Sequence, residues 1–177
     1  MRAILTAVVL FTGFAASAGS VFGQGGADDF SAGRKITGSV YRPYTARTYS
    51  GHAINHAQTL QYYGKNYKTI PKETALEHAT EVRRNLDGFG KELAKLETES
   101  KGDPEAMKLI AEIRGHQKSA SDHCGMLETE CAKHMADGGV VMTCCTDMLK
   151  HLRAADAAHD KLLKHLGIPL PGATMKK

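Results

Sequence analysis

Beyond its first two dozen residues this chain has no apolar run long enough to cross a bilayer, no strand-like alternation and no repeat longer than a heptad. It also lacks a glycine-rich phosphate loop, a nucleophile, base and orienter set, and the C-x-x-C-H signature of attached haem. These absences leave no membrane span and no catalytic residues, and they favour a binding protein over an enzyme. Charge of one sign is scarce too. Lys and Arg number 23 against 19 Asp and Glu, and a net +4 so evenly mixed does not make a nucleic-acid surface.

The start of the chain has the order of a secretory leader. Met1-Arg2 is positive, Ala3 to Ala16 is apolar but too short and small to span a membrane, and Ala16-Ser17-Ala18 fits a cleavage site. Cleavage before Gln24 fits equally well, so residues 1–23 read as a removed signal peptide and the mature protein as periplasmic or secreted. Residues 24–48 are rich in Gly, Ser and Thr without a sustained period, which predicts a flexible, irregular arm.

From Tyr49 the apolar spacing becomes helical. Tyr49, His52, His56, Leu60, Tyr63 and Tyr67 share one face of a first helix. After Pro71, a good helix opener, a second helix carries Ala75, Ala79, Val82, Leu86, Phe89, Leu93 and Leu96 inward, with Gly88 and Gly90 pointing to close packing or a kink. Asp103-Pro104-Glu105 starts a third helix, and a fourth runs from about Val140 until Gly167 and Pro169 stop it. The expected fold is therefore all-α: an antiparallel up-down-up-down four-helix bundle over residues 49–167, with 168–177 a loose tail.

What the chain does have is soft metal ligands in places where a bundle normally keeps leucine. His116 to His159 holds all 4 cysteines, and the inward columns of the third and fourth helices carry His116, His123, Cys124, Cys131, Cys144, Cys145, Met148, His151 and His159. With a turn centred on Gly138, Cys131 comes level with Cys144 and Cys145, Cys124 with His151, and His116 with His159. The first two helices add His52, His56, His78 and Glu81, giving three layers. Cys131, Cys144 and Cys145 lie nearest that turn. His56, His78, Glu81, His123, Cys124, Met148 and His151 take the middle, and His52, His116 and His159 the far end.

A single histidine on an apolar face is usually a satisfied core residue. Leaving several imidazoles buried without partners, however, costs on the order of 1–3 kcal/mol each, and a metal supplies the missing partner. The cysteines have a bland alternative, because outside the cytoplasm Cys131 could bridge to Cys144 or Cys145. Cys124 and Cys131 do not bridge each other, since seven helical residues separate them by about 10 Å. Thiolate, thioether and imidazole together suit copper, above all Cu(I), with zinc or iron as alternatives.

Cys131-x-x-x-Met135 and Cys144-x-x-x-Met148 on the third and fourth helices resemble the bacterial four-helix-bundle copper-storage proteins, mainly over residues 116–159. That resemblance implies a bundle core that holds Cu(I) on thiolates. This chain departs from the family by offering only 4 cysteines, with histidines inward instead, which implies a few defined sites rather than a filled tube. Two rivals remain open beside an exported protein that sequesters, stores or delivers copper. One is a metalloenzyme or redox protein with a histidine-rich mono- or dinuclear centre; the other is a disulfide-stapled structural or partner-binding bundle. Metal ions are the expected partners, and a homo-oligomer stays open.

Overall fold

The computed structural model describes residues 41–170; the expected signal peptide, most of the expected arm and the end of the tail lie outside them. The fold is all-α, built from α1 (Tyr41–Asn66), α2 (Lys72–Glu99), α3 (Pro104–Cys131) and α4 (Gly138–His165). Helix α1 packs on α2 and α4, and α3 packs on the same two. Among the described residues no helix is long and apolar enough to cross a membrane.

The ends of the helices follow their local chemistry. Asp103 caps α3 by accepting the Ala106 N–H at 3.0 Å, with Pro104 at the first position, and Asp137 caps α4 by accepting the Val140 N–H at 3.0 Å. Helix α4 ends on Gly167 at φ 71°, where the Ile168 N–H reaches the Leu163 carbonyl and the Gly167 N–H that of Lys164.

Three features differ from the sequence expectation: the start of α1, the start of the tail and a pair of short strands. Helix α1 begins at Tyr41, so residues 41–48 are helical rather than an irregular arm. Its early inward residues are Pro43, Ala46 and Ser50, too small and polar to give an apolar period, and the turn is held through Arg47 to Asp160 and Tyr44 Oη donating to the Pro169 carbonyl at 2.6 Å. The same contact docks the start of the tail, where Ile168 is buried. Strands also exist, although no alternation foretells them. β1 (Thr69–Pro71) and β2 (Met135–Asp137) pair antiparallel, with Ile70 opposite Ala136. Each has three residues, and only its central side chain is buried, too short for a period to register.

This ribbon ties the α1–α2 connection to the α3–α4 connection. Glu130 reinforces it: its carboxylate accepts the Asp137 N–H at 2.9 Å and pairs with Lys133, and both bonds hold its pKa below the usual carboxylate value. Beside the ribbon α1 and α4 nearly touch. A Cβ on Gly64 would stand 2.6 Å from the Gly138 carbonyl oxygen, and one on Gly138 would stand 2.0 Å from the Tyr67 carbonyl oxygen.

The buried apolar residues form two clusters. The one under the ribbon contains Ile70, Leu86, Leu127, Leu149 and Leu152 together with Cys124, Cys131, Cys144, Cys145 and Met148. The other holds Phe89, Leu93, Leu109, Ile110, Ile113 and Leu162. Gly88 lets Tyr49 lie against α2, as the glycines there lead one to expect: an added Cβ would meet its ring at 2.6 Å.

Candidate functional site

Helices α3 and α4 bring all four cysteines into the cluster under the ribbon, and none is in a disulfide. Cys124, Cys131 and Cys145 are sealed from solvent, while Cys144 keeps 5% exposure. Burial pushes every one of these thiols up, Cys124 and Cys131 to about 12. Their mutual influence adds to this: Cys145 feels Cys131, Cys144 and Cys124. Cys131 is coupled to all three of the others as well, so Cys131 and Cys145 together form the middle of the quartet. Burial of the fully closed Met148 in the same cluster adds a thioether.

Protonated thiols of this kind are inert toward oxidation and exchange at neutral pH. Raising a thiol from 9.0 to about 12 puts roughly 4 kcal/mol against the thiolate, which a bound cation offsets by displacing the proton. One side chain already favours the anion. Arg83 binds Glu128 through Nη2 at 2.8 Å, and its charge pulls the Cys124 thiol back down. Sequence reading missed Arg83, whose position beside the cysteine depends on packing of α2 on α3.

The half-buried histidines sort into one pair and one group of three. His56 on α1 and His78 on α2 approach with their Nδ1 atoms 3.1 Å apart, as their shared middle layer predicts, and Tyr63 lies beside His78. Burial and the His56 ring hold the His78 pKa low. On the other side His151 of α4 lies between two histidines of α3: its Nδ1 is 3.5 Å from that of His116, and its ring stacks 5.7 Å from His123. His116 thus meets His151, not His159. The α3–α4 connection lies before Gly138, which belongs to α4, and the partner of His116 on α4 is eight residues, about two turns, nearer that connection than expected, whereas His123 meets His151 in the middle layer as expected.

Three expected site residues stand elsewhere. His52 is exposed and lines a shallow surface hollow with Tyr41, Tyr44, Thr45, Thr48 and Tyr49. Glu81 turns to Arg84 at 2.5 Å rather than to a histidine. His159 is fully buried against Phe89, and both its ring nitrogens are without a hydrogen bond. Among the described residues no three or more His, Cys, Asp or Glu side chains already close into a metal-binding group. The thiols and the imidazoles are gathered but not drawn in.

His159 makes one prediction independent of any metal. Burial, with Arg47 nearby, lowers its pKa from 6.5 to about 4, while the Pro43 carbonyl pulls weakly the other way without completing a hydrogen bond. The unfolded chain takes up a proton below pH 6.5 and the folded chain only near pH 4, so stability falls across that window, by up to about 3 kcal/mol. Asp156, whose carboxyl is raised by burial, opposes the loss as it protonates. Urea melts between pH 7 and pH 4 check this; His159→Leu should be more stable at pH 4 and show a flatter profile. An unchanged profile would contradict it.

No protein-family model matches the chain, and no curated protein or solved structure is significantly similar to it. Its chemistry therefore rests on its own side chains.

Proposed function

We propose that the chain is an exported four-helix bundle, running up-down-up-down, that sequesters, stores or delivers copper as Cu(I). The observation that carries this reading is the quartet of unpaired, buried thiols on α3 and α4, with Met148 in the same cluster. A lone buried cysteine is ordinary apolar filling. Four on two facing helices, gathered where the two connections are stitched together, form a donor set whose softness suits Cu(I) better than a divalent ion.

In this reading the ion is cargo. Cys144, the thiol with residual exposure, meets it first, and Cys145, Cys131 and Cys124 take it inward, each coordinated thiol giving up its proton. The ribbon β1–β2 and its clamp Glu130 cover the end of the bundle, which keeps water from the bound ion. Affinity accordingly rises with pH, because fewer protons compete for the sulfurs.

Four free thiols count against the disulfide-stapled alternative. The test is an anaerobic Cu(I) titration of the reduced chain against a chelator of moderate affinity, with elemental analysis of the recovered protein. Copper retained at one or more ions per chain, with proton release, supports the proposal. Protein recovered free of copper overturns it.

A further inference from the structure

Helix α1 carries charge of one sign into the ribbon end of the bundle: residues 41–72 contain no Asp or Glu. Their cations have different fates. Arg42 and Arg47 pair with Glu99 of α2 and Asp160 of α4, whereas Lys65, Lys68 and Lys72 are exposed and have no carboxylate partner among the described residues. Exposed aromatic rings accompany these lysines. Tyr62 is 61% and Tyr67 55% exposed, and the half-buried ring of Tyr63 lies 6.1 Å from each, so the three form one row. The β ladder extends this surface with Met135, which is exposed opposite Pro71. Apolar side chains scattered singly over a surface carry no message, but a contiguous group rimmed by charge marks an interaction site.

We propose that Tyr62, Lys65, Tyr67, Lys68 and Lys72 form a docking surface for the anionic headgroups of a membrane. All five lie at the end of α1, in the α1–α2 connection or at the first residue of α2, and so share one end of the bundle. The lysines decide the occupant. Contact surfaces between proteins favour Tyr and Met but are depleted in Lys. Tyr and Lys together are instead the composition of a membrane interface: the ammonium groups reach lipid phosphates, and the rings settle at headgroup level with their hydroxyls toward water. The opposing charges close by are mostly engaged. Asp137 caps α4 and Glu130 pairs with Lys133, while Glu73, beside Lys72, stays exposed and subtracts from the attraction. Each lysine at an anionic surface raises affinity about fivefold, so three give weak, reversible binding that falls as salt screens them. No membrane-spanning helix is needed, and none of the thiols takes part, so the docking surface stands whether or not the chain binds copper.

Sedimentation of the full chain with mixed phosphatidylglycerol and phosphatidylcholine vesicles, set against phosphatidylcholine alone, tests this surface. The apolar start of the chain is common to every variant, so comparison between variants isolates the lysines. The expected result is tighter binding to the anionic vesicles, weakened by added salt. Lys65→Gln, Lys68→Gln and Lys72→Gln combined should lower that binding about 100-fold. Tyr62→Ser with Tyr67→Ser should lower it while leaving its salt dependence in place. Lys91→Gln, Lys101→Gln and Lys108→Gln combined, the same charge removed from exposed positions elsewhere, should leave it nearly unchanged. Equal affinity for both kinds of vesicle, or equal losses in the two lysine triples, would overturn the proposal. So would poly-glutamate or single-stranded DNA bound as tightly as the anionic vesicles, since the surface would then belong to an acidic protein or a nucleic acid. Circular dichroism of each variant checks that the helices persist, as expected for substitutions at exposed positions.

Discussion

Cys145→Ala should weaken Cu(I) binding by more than about 100-fold, beyond the upper end of what removal of a supporting residue costs at a metal site. Cys145 is sealed from solvent and, like Cys131, interacts with all three other thiols, so its loss takes a central donor out of the set. Alanine leaves a small apolar gap in a cluster lined by Leu127, Leu149 and Leu152, at a cost of about 1 kcal/mol, and the helices should persist. Competition with a Cu(I) chelator reads the affinity, and circular dichroism reads the fold. Cys144→Ala should cost less affinity and more loading rate, since Cys144 is the thiol nearest solvent. Equal, small losses in both variants would mean that the cysteines are filler.

Gly138→Ala should be the most damaging single methyl in the molecule. Its Cβ would stand 2.0 Å from the Tyr67 carbonyl oxygen and 3.1 Å from that of Gly64, both backbone atoms that no side-chain rotation relieves. The same residue donates its N–H to the Lys68 carbonyl at 2.9 Å, so a shift that makes room also breaks the tie between the two connections. An overpacking cost of about 3 kcal/mol or more follows, and a fall in Tm on the order of 10 °C. Thermal melts of the metal-free protein check this. A drop below about 1 kcal/mol would show that α1 and α4 separate easily at the ribbon.

Gly138 also shows where sequence reading stops. Asp137-Gly138-Gly139 reads as a turn, yet Gly138 opens α4 without a positive φ, and what it provides is space for α1. From composition a glycine that frees the backbone and one that admits a neighbour look alike, and taking it for the turn displaces the facing residues. Cys131 still falls beside Cys144 and His123 beside His151, while His116 moves from His159 to His151. The four helices, the Asp103 cap and the Gly167 stop are legible because each depends on local periodicity or local hydrogen bonds. The start of α1 is not legible, since Pro43, Ala46 and Ser50 are buried by their partners on α4 and carry no apolar signal of their own. The histidines on apolar columns had four distinct fates: His56 and His78 pair, His151 meets His116 and His123, His159 is sealed against Phe89, and His52 faces solvent. A period identifies a face, and only the packing of neighbours decides what that face meets.

X-ray absorption at the copper edge of the Cu(I)-loaded chain tests the central claim most directly. Sulfur neighbours around the copper, lost or reduced in Cys145→Ala, are the predicted result. A shell of nitrogen or oxygen alone, unchanged by that substitution, would contradict a thiol-lined copper site.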